Sequence, residues 1–263
     1  MTEQIIAQRL GITLRQVQGT VRLLRDGATI PFISRYRKEA TGSLDELQVG
    51  AVKEQLDKLT ELEARKQTVL STIGEQGKLT DELRKRIEAC WEAVELEDIY
   101  LPYKPKRRTR ATVARERGLE PLANSIMAQN SHDIARQAQR FVTADVPTPE
   151  EAIAGACDII AERVSEDERA RNSVRRTAAR EGAVHSRLVK GKEQEGVKYS
   201  DYFDATSPLR TVSSHRFLAM RRGMDEGVLK ISVEMDADRI PEGLCRQFVR
   251  HGSATREWME AAV

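Results

Sequence analysis

The feature that most constrains the fold is a long amphipathic stretch, from residue 44 to residue 73, that contains no proline. Its apolar residues recur at steps of three and four, which is the spacing of a helix that buries one side. They are Leu44, Leu47, Ala51, Val52, Leu56, Leu59, Leu62, Val69 and Ile73. About 30 residues rising about 1.5 Å each give a helix of roughly 45 Å. Because a stripe this narrow suits packing against other helices, the stretch predicts a mainly α fold.

Short polar signals predict where the helices begin and end. Ser43 with Glu46 predicts a capping box at the start of the long helix, and Gly74 and Gly77 predict its end. We expect the helix that follows Thr80 to run through Val94. The N-cap residues predicted for other helices are Thr80, Ser131, Thr148 and Ser165.

The N-terminal residues predict two helices joined at Gly11, with Thr13 and Gln16 as the capping box of the second helix. Helix, short glycine turn and helix are the outline of a helix-turn-helix. The exposed side of the second helix would present Arg15 and Arg22 to base edges or phosphates. Units of this outline also serve as packing modules, so both roles stay open.

The region near the C-terminus contains the best strand candidate. Residues 228–235 alternate, with Ile231, Val233 and Met235 on one face. A single strand needs a partner, and we expect that partner in a part of the protein beyond this sequence. The predicted fold class is therefore mainly α: an elongated multi-helix array with a helix-turn-helix-like N-terminal unit, one helix of about 30 residues and at most a small β element near the C-terminus.

Composition and cysteine usage narrow the class of protein. The chain is 5% aromatic and 32% charged, which favours helices over a sandwich or barrel. Cys90, Cys157 and Cys245 are far apart and form no CxxC pair, so we expect a reducing compartment. No signal peptide and no apolar run long enough for a membrane span is present, so the expected location is the cytoplasm, with no membrane partner.

The sequence shows no catalytic set. His132, His185, His215 and His251 are scattered, and none has acidic or cysteine neighbours at metal-ligand spacing. No Walker-type phosphate loop and no GxGxxG motif occurs. We therefore predict a protein that is not an enzyme and that has no cofactor and no metal site.

The strongest local charge lies between Lys104 and Arg117, where seven basic residues face one acid, Glu116. The whole chain is nearly balanced, with 43 Lys and Arg against 41 Asp and Glu. Pro102 and Pro105 restrain the backbone, so we predict a stiffened basic loop over residues 102–117. Cations beside tyrosines suit nucleic acid, and the alternative is arginines that pair with acids on neighbouring helices. The predicted contacts here are Lys104, Lys106, Arg107, Arg108, Arg110 and Arg115.

A second basic block, residues 30–39, places an apolar anchor before three cations that surround a tyrosine. Arg35, Arg37 and Lys38 could bind phosphates while Tyr36 stacks on a base. The alternative is that Arg35 and Arg37 bridge to carboxylates on adjacent helices. The arginine-rich helix over residues 166–181 could also face nucleic acid, but we interpret it as a solvent-exposed spacer.

Two long segments carry a resemblance to a known family. LEDIYLPYKPKRRTRATVARERGLEPLA (residues 96–123) and IPFISRYRKEATGSLDE (residues 30–46) resemble the two N-terminal signatures of the bacterial Tex transcription accessory proteins. The similarity extends to YSDYFDATSPLRTVSSHRFLAMRRG (residues 199–223). Tex proteins are longer; they continue into an RNase H-like domain, helix-hairpin-helix elements and an OB-fold RNA-binding domain, and they are related to a eukaryotic transcription elongation factor.

The resemblance implies three regions: a helix-turn-helix-like unit over residues 1–43, a helical Tex N-terminal domain over residues 44–198, and the start of a following region over residues 199–263, cut before the RNase H-like domain. It implies a non-catalytic accessory factor that binds RNA or DNA without sequence specificity and has RNA polymerase or other transcription machinery as a partner. The alternative is a helical scaffold that docks such a protein partner and whose arginines are structural. Phosphate contact predicts an affinity that falls steeply with salt, whereas the scaffold predicts little binding at any salt.

Overall fold

The computed structural model describes residues 1–105, 107–131, 133–236 and 238–263, which form two compact units, Met1–Lys104 and Pro105–Val263. Both units are mainly helical, which confirms the predicted mainly α class, while the helix-turn-helix-like character of the N-terminal unit stays a prediction. The predicted divisions at residues 43/44 and 198/199 fall inside these units and stay predictions. No helix in the described part of the chain is both long and apolar enough to cross a membrane.

The first unit is built around one long helix, α5, as the sequence predicts. Its helices are α1 (Thr2–Leu10), α2 (Leu14–Arg25), α3 (Ile30–Tyr36), α4 (Lys38–Thr41), α5 (Glu46–Glu75), α6 (Asp81–Ala89) and α7 (Ala93–Tyr100), followed by a 3-10 turn (Leu101–Tyr103). The predicted capping box at Thr13 and Gln16 is present, and α5 has the predicted 30 residues.

The start of α5 differs from the prediction. Its capping box is formed by Asp45 and Gln48, not by Ser43 and Glu46. Ser43 has a φ of 65°, directly after the left-handed Gly42 that ends α4. Ser43 therefore belongs to the turn between two helices, and the next capping residue along the chain begins α5.

Helices α1, α2 and α3 pack on α5 through a shared apolar core. Ile6, Val17 and Ile33, one from each helix, have no exposed surface. Most of the predicted apolar stripe of α5 is buried, at Val52, Leu59, Leu62, Val69 and Ile73, whereas Ala51 and Leu56 are only partly buried. Leu47, which was assigned to that stripe, is 85% exposed. It lies in the first turn of α5, on the side away from Val49.

The helix predicted to run from Thr80 to Val94 is broken into α6 and α7. Thr80 caps α6 as predicted, but the chain is extended at Cys90 and Val94 is 56% exposed. The break lies over a buried lysine of α5. Lys66 Nζ donates to the carbonyl of Glu88 at 3.0 Å and lies 3.7 Å from the centre of the Trp91 ring. Packing of this cation against the end of α6 and the indole accompanies the break, and no local sequence signal predicts it.

The second unit surrounds another long helix, α11. Its helices are α8 (Arg110–Glu116), α9 (Glu120–Ala128), α10 (Ile134–Gln139), α11 (Pro149–Glu166), α12 (Glu168–Glu181), α13 (Ser214–Asp225), α14 (Arg239–Phe248) and α15 (Arg256–Ala262), with a 3-10 segment at Val197–Tyr202. Thr148 caps α11 with Pro149 in its first turn, as predicted. The caps of α10 and α12 are Asp133 and Asp167, not Ser131 and Ser165.

The part of the chain between α12 and α14 contains a three-stranded antiparallel sheet. Its strands are β1 (Ala183–Leu188), β2 (Asp204–Pro208) and β3 (Leu229–Glu234), in the order β2-β1-β3. The predicted strand is confirmed as β3. The expectation that its partner lies beyond this sequence is wrong, because β1 pairs with β3 along its whole length. Strand β1 was missed because its pairing is with distant residues.

Candidate nucleic-acid interface

The first predicted contact segment, Arg35 to Lys38, lies where α3 meets α4. Helix α3 is anchored by Ile33, which has no exposed surface, and by Ser34, whose hydroxyl donates to the carbonyl of Pro31 at 3.2 Å. Burial of these two neighbours turns the residues on the opposite side of a short helix outward. The segment is therefore displayed by a packed element.

Two aromatic rings stand on that outward side. Phe32 and Tyr36 are 44% and 69% exposed. Their ring centres are 5.5 Å apart with an interplanar angle of 42°, as their spacing of four residues on a helix allows. Exposed rings beside cations are what single-stranded nucleic acids stack upon. Sequence reasoning selected Tyr36 and missed Phe32; the spacing of four was the available signal.

The cations of this segment make few contacts with the protein. Arg37 lies 3.5 Å from Glu39, and both side chains are about half exposed or more. Within the described residues, neither Arg35 nor Lys38 has a carboxylate at ion-pair distance. Bridges from Arg35 and Arg37 to carboxylates on packed neighbouring helices, which were the structural alternative, are not formed among those residues.

The second predicted segment divides between the two units. Lys104 closes the first unit: its backbone N–H donates to the carbonyl of Tyr100 at 3.1 Å, and its side chain is exposed. Lys106 lies outside the described residues. Arg107 is exposed and has no ion pair with any described carboxylate.

The segment from Arg110 onward is helical, so the prediction of a loop through residue 117 is wrong there. Thr109 caps α8, accepting a hydrogen bond from the N–H of Thr112 at 3.0 Å. Ala111 and Ala114 are buried and pack α8 against α11. Two small residues three positions apart allow this close contact. The prediction of a loop gave weight to the many basic residues of the stretch and overlooked this helical spacing.

Arg115 is held inside this helix contact. Its Nη1 lies 2.5 Å from Oε2 of Glu162 on α11, and the Glu162 side chain is only 11% exposed. The hydroxyl of Thr109 donates to the other oxygen of the same carboxylate at 3.0 Å. One carboxylate thus fastens both ends of α8. The predicted phosphate contact of Arg115 stays untested, and its geometry favours a structural role.

Arg108 and Arg110 make exposed ion pairs at the rim of a groove of about 640 Å³ between α8 and α11. Arg108 reaches Glu116 at 2.7 Å, and Arg110 reaches Asp158 at 3.4 Å while remaining 89% exposed. Exposed pairs of this kind contribute about 0–1 kcal/mol each, so a phosphate can compete for these arginines. Arg117 also lines the groove and was not among the predicted contacts.

One histidine has acidic neighbours that the sequence did not reveal. Pairing of the strands places His185 between Asp204 of β2, 2.7 Å from its Nε2, and Glu234 of β3, 2.9 Å from its Nδ1 and off the hydrogen-bond direction. Asp204 and then Glu234 raise the pKa of His185. Both ring nitrogens face carboxylates, so the group is arranged as an ionic clamp on the sheet. No set of acidic, histidine or cysteine side chains in the described ranges is arranged to hold a metal ion.

Comparison with known families gives two matches that together cover most of the chain. Residues 1–74 match the Tex-like protein N-terminal domain, and residues 129–263 match the Tex central region-like family. The chain belongs to the Tex family. The Arg35–Lys38 segment lies within the first match, and the whole basic stretch, residues 102–117, lies between the two matches.

Relatives of the chain in other organisms support the same assignment. Transcriptional accessory protein Tex of Neisseria gonorrhoeae is 47% identical over 238 residues, which are 90% of this chain and 31% of that protein. Protein YhgF of Escherichia coli K12 is 47% identical over 251 residues, which are 94% of this chain and 32% of that protein. Human S1 RNA-binding domain-containing protein 1 is 26% identical over 255 residues, which are 94% of this chain and 26% of that protein. The chain thus spans about a third of the length of its bacterial Tex relatives.

Proposed function

We propose that this chain is the helical N-terminal part of a transcription accessory factor that binds RNA or DNA through phosphate contacts and catalyses no reaction. The observation that carries the proposal is the Arg35–Lys38 segment. It combines exposed cations that the fold leaves largely uncompensated with two exposed rings, Phe32 and Tyr36. Phosphate contacts supply affinity, and stacking on rings tolerates every base, so the binding is independent of sequence.

The second basic segment contributes fewer contacts than its charge suggests. Arg107 is available, and Arg108 and Arg110 are held only by exposed ion pairs. We propose a structural role for Arg115, because its ion pair with Glu162 joins α8 to α11. The proposed contact set is therefore Arg35, Tyr36, Arg37, Lys38, Lys104, Lys106, Arg107, Arg108 and Arg110.

The relatives' names support the biological setting of the proposal. One relative is named a transcriptional accessory protein and another carries an S1 RNA-binding domain in its name. We place this chain in the same setting, in the cytoplasm, with RNA polymerase or another part of the transcription machinery as its protein partner. The chain spans about a third of the length of its bacterial relatives. The role of the whole protein is therefore also part of what we propose.

The test is fluorescence-anisotropy binding of the chain to short labelled RNA and DNA, single- and double-stranded, across a salt series. The variant Arg35→Ala/Arg37→Ala/Lys38→Ala removes three cations. Loss of three phosphate contacts should make the slope of log K against log salt shallower by about 2–3. Tyr36→Ala should weaken single-stranded binding by about 1–3 kcal/mol with an unchanged slope.

The matched control is Lys78→Ala/Arg84→Ala/Lys85→Ala. These three residues are exposed in the same unit, at or near α6. The control changes the net charge by the same amount. An equal loss of affinity in both triple variants would therefore show that overall charge, and not the Arg35–Lys38 segment, determines the affinity. A folded wild-type chain that binds no nucleic acid at low salt would overturn the proposal and leave the scaffold hypothesis.

A further inference from the structure

The arginine-rich helix α12 does not stand free, because α14 packs beside it in the second unit. Between the two helices runs a groove of about 650 Å³. It is lined by five arginines: Arg169, Arg176 and Arg180 from α12, and Arg239 and Arg246 from α14. The sequence analysis interpreted α12 as a solvent-exposed spacer. It did not consider the arginines of α14, which are distant in sequence and form the other side of the groove.

The arginines of each helix repeat on one side. Arg169, Arg176 and Arg180 are separated by seven and four residues, and Arg239 and Arg246 by seven, so each set lies along a single helix face. At about 1.5 Å per residue the α12 row extends over roughly 16 Å. Phosphates of one strand in a duplex are spaced about 3.4 Å along the axis, so the row has the length of about five phosphates.

The opposite side of α12 explains why this face is turned outward. Ala170 is buried, and Val174 packs with it against Val164 and Leu244 in the apolar core of the unit. A helix whose apolar residues occupy one side presents its remaining side to solvent. Core packing thus orients the arginine row.

The positive charge of the groove is only partly compensated. Glu181 lies 2.7 Å from Arg180 and 3.7 Å from Arg239, so one carboxylate is shared by two arginines. Arg246 pairs with Glu242 at 3.7 Å on the exposed surface of α14. In the described part of the chain, Arg169 and Arg176 have no carboxylate at ion-pair distance. Five guanidinium groups therefore face two carboxylates.

The other lining residues indicate the kind of ligand. They are Asn172, Ser173, Thr177, Gly243 and Gln247 with Glu181. Amides and hydroxyls donate hydrogen bonds to phosphate oxygens, and guanidinium forks bind phosphate bidentately. Grooves that bind extended peptides also offer pockets for alternate side chains, and no apolar side chain is among the described residues that line this groove. Gly243 opens the floor, because no atom lies within 4 Å of the place where its Cβ would be.

We propose that the groove between α12 and α14 is a second phosphate-binding surface, which holds the backbone of one nucleic-acid strand without reading its bases. The inference rests on the proposed function, since its ligand is of the same class. It assigns the contact to a separate surface and to residues that the sequence-based set omits. Specificity for sequence is not expected, because phosphate contacts position a strand and base contacts specify it.

The test variant is Arg169→Gln/Arg176→Gln/Arg246→Gln, which removes three groove cations and retains helix-forming residues. The control is Arg216→Gln/Arg221→Gln/Arg222→Gln, three exposed arginines on α13 in the same unit. Circular dichroism checks that both variants keep the helical content of the wild type. Binding of labelled single-stranded RNA and DNA is then measured across a salt series, with polyglutamate as a competitor.

The expected result is that the groove variant loses about tenfold or more in affinity and that its salt slope becomes shallower by about 2, since each single-strand contact contributes about 0.7. The control should keep the wild-type slope. The groove variant could instead keep the affinity and salt slope of the wild type while the Arg35/Arg37/Lys38 variant binds more weakly. That result would overturn the proposed role of the groove and leave the proposed function standing. Absence of nucleic-acid binding by the wild type would overturn both proposals. Binding of polyglutamate alone would overturn the groove proposal by showing that the groove binds an acidic protein segment.

Discussion

Gly19 offers a sharp test of the packing in the first unit. It lies inside α2, where alanine normally stabilises a helix by roughly 0.5–1 kcal/mol relative to glycine. A Cβ atom added to Gly19 would lie 2.0 Å from the carbonyl oxygen of Ala40 and 3.0 Å from its carbonyl carbon. Both atoms belong to the backbone of α4 and cannot rotate away. We therefore expect Gly19→Ala to destabilise the unit, against its helix propensity.

The size of the expected destabilisation follows from how far α2 and α4 must move apart to remove the clash. Carbon and oxygen approach to about 3.3 Å in favourable contacts, so α2 and α4 must separate by about 1.3 Å. This movement would strain the hydrogen bond from Gln16 Nε2 to the carbonyl of Gly42, now 3.1 Å, and would open the fully buried Thr41 to water. Overpacking costs about 1–3 kcal/mol. After the gain in helix propensity, the net loss should be about 1–2 kcal/mol.

Gly50 is the matched control, because it lies within α5 and no atom stands within 4 Å of the place of its Cβ. Gly50→Ala should raise the free energy of unfolding by about 0.5–1 kcal/mol. Trp91 and Trp258 are the two tryptophans of the chain, so Trp258→Phe leaves Trp91 fluorescence to report urea unfolding of the first unit. A urea midpoint raised equally by both substitutions would refute the close approach of α2 and α4.

Two further predictions concern buried charge. Lys66→Ala removes the donor to the Glu88 carbonyl and the cation above the neighbouring indole, and it should lower the free energy of unfolding by about 2–4 kcal/mol; an unchanged urea midpoint would contradict the contact. The pKa of His185 is raised above 6.5, by Asp204 first and then by Glu234, so its stabilisation is complete below about pH 6.5 and is lost as pH rises through the raised pKa. The pKa of Glu234 is lowered below 4.5 by His185, so its own contribution is lost only as pH falls through that lowered value. Urea unfolding of the wild type and of His185→Gln, at slightly acidic and at alkaline pH, should show this alkaline loss in the wild type alone.

Several features were predictable because their causes are local. The capping boxes and caps at Thr13, Thr80 and Thr148 involve residues three apart, and they appear where the sequence predicts them. The length of α5 follows from a stripe of regular apolar spacing without proline. The family resemblance likewise depended on contiguous segments, and the family matches confirm it.

The wrong helix starts share one physical reason. Ser43, Ser131 and Ser165 each precede an aspartate by two residues, and in each case the aspartate is the cap. Serine and aspartate are nearly equal as N-cap residues. Local preference therefore leaves two starts of similar free energy, and residue type alone does not choose between them.

The sequence by itself determined the helical class, the long helix, three of the six predicted caps and the family, since each depends on neighbours along the chain. Only the tertiary structure decided the sheet partner of β3, the break over Lys66 and the role of each arginine. Arg35 and Arg115 look equivalent in sequence, yet one is exposed without an ion pair among the described residues and the other holds the nearly buried Glu162. The distinction depends on which distant carboxylate the fold brings near, and a charge pattern along one chain carries no information about that distance.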